Sequence, residues 1–527
     1  MRTARVVVLA VAAALGAAGA DFEVLIKNAR IVDGTGNGWF KGDIGIAKGR
    51  IAAVGMLAGK TAERVIDARG RVAAPGFIDV HTHIEGAVEK VPRGDNYLLD
   101  GVTTVVTGNC GGSQVKLGEW FSELKKTGIG INVASLVGHN SVRREVMGSA
   151  NRKATDGEIA KMQALVETAM REGAVGFSTG LIYIPGTYSE TKEVVEVARA
   201  AAKHGGVYAS HMRDEGAQVM EAIAEAAEVG AETGMRVQLS HFKIDNRKLW
   251  GMSAKTLGLV EEFRRKGVDV VIDQYPYDRS STNLGITLPT WALADGAKAV
   301  KERLDAPQTR RRIAAEMKQM LGDKGLKDFD YAMVGSYAKD RSLEGKTIAE
   351  IVKGRGKAAT VDEQIELIFE ILGEGGAQMV YHSMGEEDVE RIAKWPHTAV
   401  ASDGGVREFD LGVPHPRSYG TNARVLARHV RERGWLTLED AVRRMTSLPA
   451  RTFGFQDRGL IREGMAADVV VFDPAKVEDR ATYQDPHQFS AGFDYVVVNG
   501  KIAVQGGQLM EVRAGQIVRG AGAVAAQ

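Results

Sequence analysis

The apolar positions along this chain fall into two rhythms. From Phe22 to Ala73 they cluster in short runs, Val24-Leu25-Ile26, Arg30-Ile31-Val32, Asp43-Ile44-Gly45-Ile46 and Arg50 to Val54, set apart by turns such as the glycine-rich Asp33 to Gly38. Short β-branched runs between turn residues predict strands. The same character returns in Ala467 to Phe472 and Tyr495 to Ile502. Two β-rich ends around a different middle predict one small β-sandwich domain built from both termini, with residues 21–73 supplying one part and residues from 431 onward, after a last barrel helix, the other.

Between the ends, apolar runs alternate with amphipathic ones. Strand-like runs are Phe77 to Val80, Val102 to Val106, Ile131 to Val137, Ala174 to Phe177, Val207 to Ala209, Val237 to Leu239, Val268 to Ile272, Met379 to His382 and Ala399 to Ala401. Helical spacing appears between them: Thr155-x-x-Glu158 forms a capping box ahead of Ile159, Met162, Leu165, Val166 and Met170, and the stretch Glu190 to His204 stops at Gly205-Gly206. Repeated βα units imply a parallel sheet, and about eight of them predict a (β/α)8 barrel over residues 74–430. Nine candidate strands are one too many for eight. Residues 285–355 break the rhythm; they are rich in Lys and Arg, show no clear buried strand, and predict an insertion over one end of the barrel with solvated basic helices.

Composition narrows the function classes. Lys and Arg number 68 against 67 Asp and Glu, in a chain of 527 residues that is 44% hydrophobic. Such a balance argues against nucleic acid or a membrane surface as partner and leaves a small molecule. Oligomeric state is unreadable from these features. Arg2 and Arg5 precede the apolar run Val6 to Leu15, and Ala18-Gly19-Ala20 offers a cleavage site. This reads as a signal peptide over residues 1–20, too short to span a bilayer, and predicts an exported protein, periplasmic or secreted. Cys110 is the single cysteine. It can form no intramolecular disulfide, and a lone thiol outside the cytoplasm is best explained by something that holds it, a metal above all.

Several strand-like runs end in potential ligands. His81 and His83 close the first run, and strand alternation sets them on one face. Cys110 follows the run ending at Val106, and His211, His241 and Asp403 follow three later ones. In a barrel the C-terminal strand ends converge on one site, and six donors exceed a single tetrahedral set. A two-metal site, or one tight metal beside a weaker one, follows. Lys243 lies two residues past His241 and so returns to the same face. His139 stands at a strand end in an orienting or structural role, and His382 reads as a satisfied core histidine. Gly345-Lys346-Thr347 is no phosphate loop, because Asp340 stands where the first glycine belongs.

These stretches resemble the amidohydrolase superfamily and, within it, the N-acyl-D-amino-acid deacylases. The likeness rests on Pro75-Gly76-Phe77-Ile78-Asp79-x-His81-x-His83, Thr107-Gly108-Asn109-Cys110-Gly111, Phe177-Ser178-Thr179-Gly180-Leu181-x-Tyr183-x-Pro185-Gly186, Ser210-His211-Met212-Arg213, Ser240-His241-x-Lys243, Ser402-Asp403-Gly404 and His415-Pro416-Arg417. It covers nearly the whole chain past the leader. It implies a tight zinc on Cys110, His211 and His241, and a weaker second site on His81, His83 and Asp403. Asp403 would be the proton shuttle, and Tyr183, Lys243, Tyr277 and Arg417 would read the substrate carboxylate. The implied reaction is zinc-dependent hydrolysis of an N-acyl-D-amino acid, the D-preference coming wholly from the resemblance. A D-peptidase or a cyclic-amide hydrolase of the hydantoinase or dihydroorotase kind is the alternative use of the same site.

Overall fold

The computed structural model describes residues 20–524, so the leader up to Gly19 lies outside the described residues. No helix among the described residues is long and apolar enough to cross a membrane.

Eight parallel strands form the centre: β1 (Phe77–Asp79), β2 (Val102–Thr107), β3 (Asn132–Ser135, resumed at Val137–Gly138), β4 (Gly176–Gly180), β5 (Val207–His211), β6 (Val237–Leu239), β7 (Val270–Gln274) and β8 (Thr398–Val400). They pair in sequence order, β1 through β3 in one ladder and β3 through β8 in another. The last meets the first where Asp403 N donates to His81 O at 2.8 Å and His83 N to Gly404 O at 2.7 Å. The ring is consistent with a (β/α)8 barrel. Strands buried on both faces need no alternation, which is why β2 reads as the continuous buried run Val102 to Thr107. The helix Asp156–Glu172 starts at the capping box of Thr155 and Glu158, buries Met162, Val166, Ala169 and Met170, and stops at left-handed Gly173.

The ninth candidate strand belongs elsewhere. Gln378–His382 is the middle of a three-stranded antiparallel sheet, flanked by Arg279–Asn283 and Ala332–Ser336. The insertion is therefore wider than residues 285–355, and it does hold a buried strand, Ala332 to Gly335, contrary to the sequence reading. A core of its own, including Ile313, Met317, Phe329, Val334, Ile368 and Met379, explains how so basic a stretch stays folded.

Strands from both chain ends join one hydrogen-bonded sheet of nine strands, in which Val72–Pro75 pairs antiparallel with Val469–Phe472. Its two faces do different work. Val24, Ile26, Ile44, Ile46, Val469 and Val471 close on one another, while Val72, Val470, Phe472 and Val496 pack toward the barrel. Phe77, at the start of β1, sits edge-on to Phe472 and Phe493 with ring centres 6.3 and 5.9 Å apart. Burying each such side chain is worth roughly 1.5–3 kcal/mol. Since Pro75 ends a strand of the sheet and Phe77 begins β1, this packing fixes where the His81 and His83 end of the barrel starts. After the sheet, the tail runs back along the barrel, with Gly515 N donating to Ile129 O and Val518 N to Val133 O.

Candidate metal centre and substrate cavity

The strand ends bring six side chains together. Cys110 Sγ lies 3.3 Å from His81 Nε2 and 3.6 Å from His241 Nε2, and His241 Nε2 lies 2.7 Å from His211 Nδ1. Asp403 Oδ1 is 3.1 Å from His83 Nε2 and 3.5 Å from His81 Nε2. Three overlapping groups could each hold one ion: His81, His83 and Cys110; Cys110, His211 and His241; and His81, His241 and Asp403, the donor atoms of each lying within 4.8 Å of one another. A thiolate among imidazoles suits zinc far better than calcium or magnesium. The backbone is bent to this end. Cys110, His241 and Asp403 adopt φ of 52°, 36° and 49°, the left-handed region that non-glycine residues enter at a cost and that clusters at functional sites. Gly180 allows the approach, since a Cβ there would lie 2.1 Å from Cys110 O.

Carboxylates behind the donors orient them. Glu215 Oε1 lies 3.0 Å from His241 Nδ1 and accepts from Lys243 Nζ at 2.7 Å. Asp273 accepts from His241 N at 2.8 Å and lies 3.4 Å from His81 Nδ1. Asp79 accepts from the amides of His81 and Ser402, tying β1 to the end of β8, and burial pushes its carboxyl up to about 6. Such outer carboxylates fix ring orientation and raise ligand basicity. Burial alone would raise the Cys110 thiol, but the His81 charge and hydrogen bonds to His211 and His241 hold it well below its ordinary value. Burial likewise works against ionised Asp403, yet Arg417, His81 and His83 keep its carboxyl well below the usual range. Both shifts favour the ionised form, which a donor to a cation must adopt.

A cavity of about 610 Å³ opens in front of this cluster, lined among others by Tyr183, Lys243, Asp403 and Arg417. Arg417 Nη1 is 2.8 Å from Asp403 Oδ2, and its guanidinium lies over the Tyr275 ring, 4.6 Å from the centre. The His-Pro-Arg turn is set by His415, whose Nε2 meets Arg279 O and whose Nδ1 accepts from Arg417 N. Tyr183 OH pairs with Thr282 Oγ1 at 3.1 Å, on the insertion strand Arg279–Asn283.

Tyr277 is a correction. It stands outside this cavity, in a neighbouring pocket between Arg424 and Tyr483, and Tyr275 takes the place facing the donors. Tyr277 N donates to Tyr275 O at 2.9 Å, so the chain turns tightly past β7 and swings Tyr277 away. His382 is no core histidine either: its side chain is 38% exposed and lies beside Trp250. His139 is buried against Glu193 at 3.0 Å, away from the donors. Sequence reasoning missed Glu215, Tyr275 and Asp273. Glu215, four residues past His211, had a weak signal in its closeness to a ligand motif; Tyr275 and Asp273 had theirs in the β7 end.

With this geometry in place, the chain belongs to the amidohydrolase family, whose model matches residues 64–504. Within that family it stands among the deacylases of N-acyl-D-amino acids. It is 35% identical to a D-aminoacylase of Alcaligenes xylosoxydans xylosoxydans over 91% of this chain and 94% of the relative. It is 36% identical to an N-acyl-D-glutamate deacylase of the same organism, over 91% and 93%. The crystal structure of N-acyl-D-glutamate deacylase from Bordetella bronchiseptica, complexed with zinc and a phosphonate inhibitor that mimics the tetrahedral intermediate, matches with a TM-score of 0.81 and 34% identity, over 94% of this chain and 99% of that one.

Proposed function

We propose that this chain hydrolyses the amide bond of N-acyl-D-amino acids, releasing a carboxylate and the free D-amino acid, with zinc as its metal. The observation that carries the reading is the placement of Asp403: one oxygen beside the histidine donors, the other on Arg417, in the wall of a substrate-sized cavity. Kinship with deacylases that act on D-glutamate derivatives and with D-aminoacylase supports the linear N-acyl-D substrate.

Cys110, His211 and His241 hold the tight ion, and His81, His83 and Asp403 form the weaker second position. Zinc, when bound, polarises an amide carbonyl and makes water a nucleophile near neutral pH. Asp403, kept ionised by Arg417, accepts the proton of the attacking water and delivers it to the leaving amine. Tyr183, Lys243 and Arg417 line the cavity where the substrate carboxylate is read, Lys243 and Arg417 sharing their charge with Glu215 and Asp403 and so leaving room for a further cation. The same reading takes residues 1–20 as an export leader, residues 74–430 as a (β/α)8 barrel, and the nine-stranded sheet as a β-sandwich domain from both termini, the protein working in the periplasm or outside the cell.

The test is hydrolysis of N-acetyl amino acids, offered as separate D and L forms with zinc present, by wild type and Asp403→Ala. Turnover of D forms that disappears in the variant supports the reading. Silence on every D form from protein that holds zinc would sink it.

A further inference from the structure

The charges lining the substrate cavity can be paired off, and one remains. Four carboxylates stand in its wall, and each has a cation: Glu215 with Lys243 at 2.7 Å, Asp403 with Arg417 at 2.8 Å, Asp245 with Lys324 at 2.8 Å and Glu408 with Lys90 at 3.0 Å. Arg407 lines the same wall, and among the described residues no carboxylate lies within ion-pair distance of it. Its one hydrogen bond runs from Nε to Ser418 Oγ at 3.0 Å, which fixes the base of the guanidinium and leaves both terminal nitrogens without a protein partner. Ser418 adjoins Arg417, so the loop after Asp403 and the His-Pro-Arg turn hold two guanidinium groups in one wall. Burial lowers the proton affinity of Arg407 and the Arg417 cation adds to that, against Tyr97, Tyr419 and the more distant Asp403, which raise it. Terminal guanidinium nitrogens are a planar fork suited to a carboxylate held by two hydrogen bonds.

We infer that Arg407 is a specificity-determining residue that takes a carboxylate of the substrate. The inference rests on the proposed hydrolysis of N-acyl-D-amino acids, whose molecules can supply that group in two ways. One is the α-carboxylate common to all of them. The other is the side-chain carboxylate of an acidic D-amino acid.

The experiment compares wild type, Arg407→Gln and Arg407→Lys, zinc-loaded, on N-acetyl-D-glutamate and N-acetyl-D-leucine, with thermal melts to show that each variant folds. Removing one charge-assisted interaction should raise KM about 10- to 100-fold while leaving kcat within a few-fold, and Arg407→Lys should recover part of the loss. A rise confined to N-acetyl-D-glutamate assigns Arg407 to the side-chain carboxylate; an equal rise on both substrates assigns it to the α-carboxylate. An unchanged KM on both, a fall in kcat alone, or a Lys variant no better than Gln would overturn the inference. Wild type that turns over neither compound would instead bring down the hydrolase reading, and calorimetric binding of the same two compounds to wild type and Arg407→Gln would then decide on Arg407 by itself.

Discussion

Cys110, His211 and His241 on one side, and His81, His83 and Asp403 on the other, are built from similar donors but held differently. His211 and His241 are 6% and 2% exposed, and Glu215 reaches both rings while Lys243 locks Glu215. In the second group the His83 side chain is 41% exposed, and Asp403 divides itself between His83 and Arg417. On the proposed assignment of two metal positions, donor chemistry alone would not rank them; the groups behind the donors would. A ligand that already satisfies a guanidinium has less to give a cation, and a half-exposed imidazole has less to keep it there.

The sharpest way to break this contrast is to remove one donor from each side and count zinc by elemental analysis after gel filtration. Cys110→Ala should strip most of the zinc and all measurable turnover, whereas His83→Ala should keep one tightly held equivalent. Equal losses would erase the distinction. Next in size, Asp403→Asn should lower kcat by about 10²- to 10⁴-fold in stopped or continuous assays while zinc stays bound at the first position. Glu215→Gln keeps the shape but removes the charge behind His241, and should weaken zinc about 10- to 100-fold in a chelator competition. Tyr277→Phe should leave KM where it is, because that hydroxyl stands outside the cavity; Tyr275→Leu, which removes the ring under Arg417, should raise it.

The smallest effect separates stability from metal binding. His429 is buried beside Trp435, and burial, reinforced by Arg424, lowers its imidazole to about 3 from 6.5. The unfolded chain takes up a proton below pH 6.5 that the folded chain refuses until about pH 3, so stability falls as pH drops through that window. Replacing His429 by Gln should flatten the acid limb of stability by at most about 1.4 kcal/mol per pH unit, read from urea melts of zinc-free protein.

What could be read from residues alone was governed by distance along the chain. A donor at a strand end announces itself, because β strands in a parallel array all point their C-terminal ends one way, and His81, Cys110, His211, His241 and Asp403 each follow such a run. Direction within a sheet is not so announced. Met379 to His382 is as apolar and as short as a barrel strand, and nothing local says that it pairs antiparallel with residues 279–283. Ala332 to Ser336, holding three small residues in five, gives hardly any β signal, although it is pinned inside the insertion. Tyr277 was placed by the resemblance alone, and one three-residue turn past β7, which no local pattern announces, swings it away from the donors. The role of Glu215 depends on Lys243 arriving from a different strand, a pairing that only the closed barrel supplies.

The sheet that joins residues 72–75 to residues 469–472 also sets an order of events. The earliest strands of the chain cannot complete their ladder until the polypeptide has nearly all been made, and that same ladder anchors β1, which carries His81 and His83. Local βα units can form as they emerge, but closing the sheet is a long-range step and so a slow one. The position of His81 and His83 therefore depends on residues close to four hundred positions further along the chain.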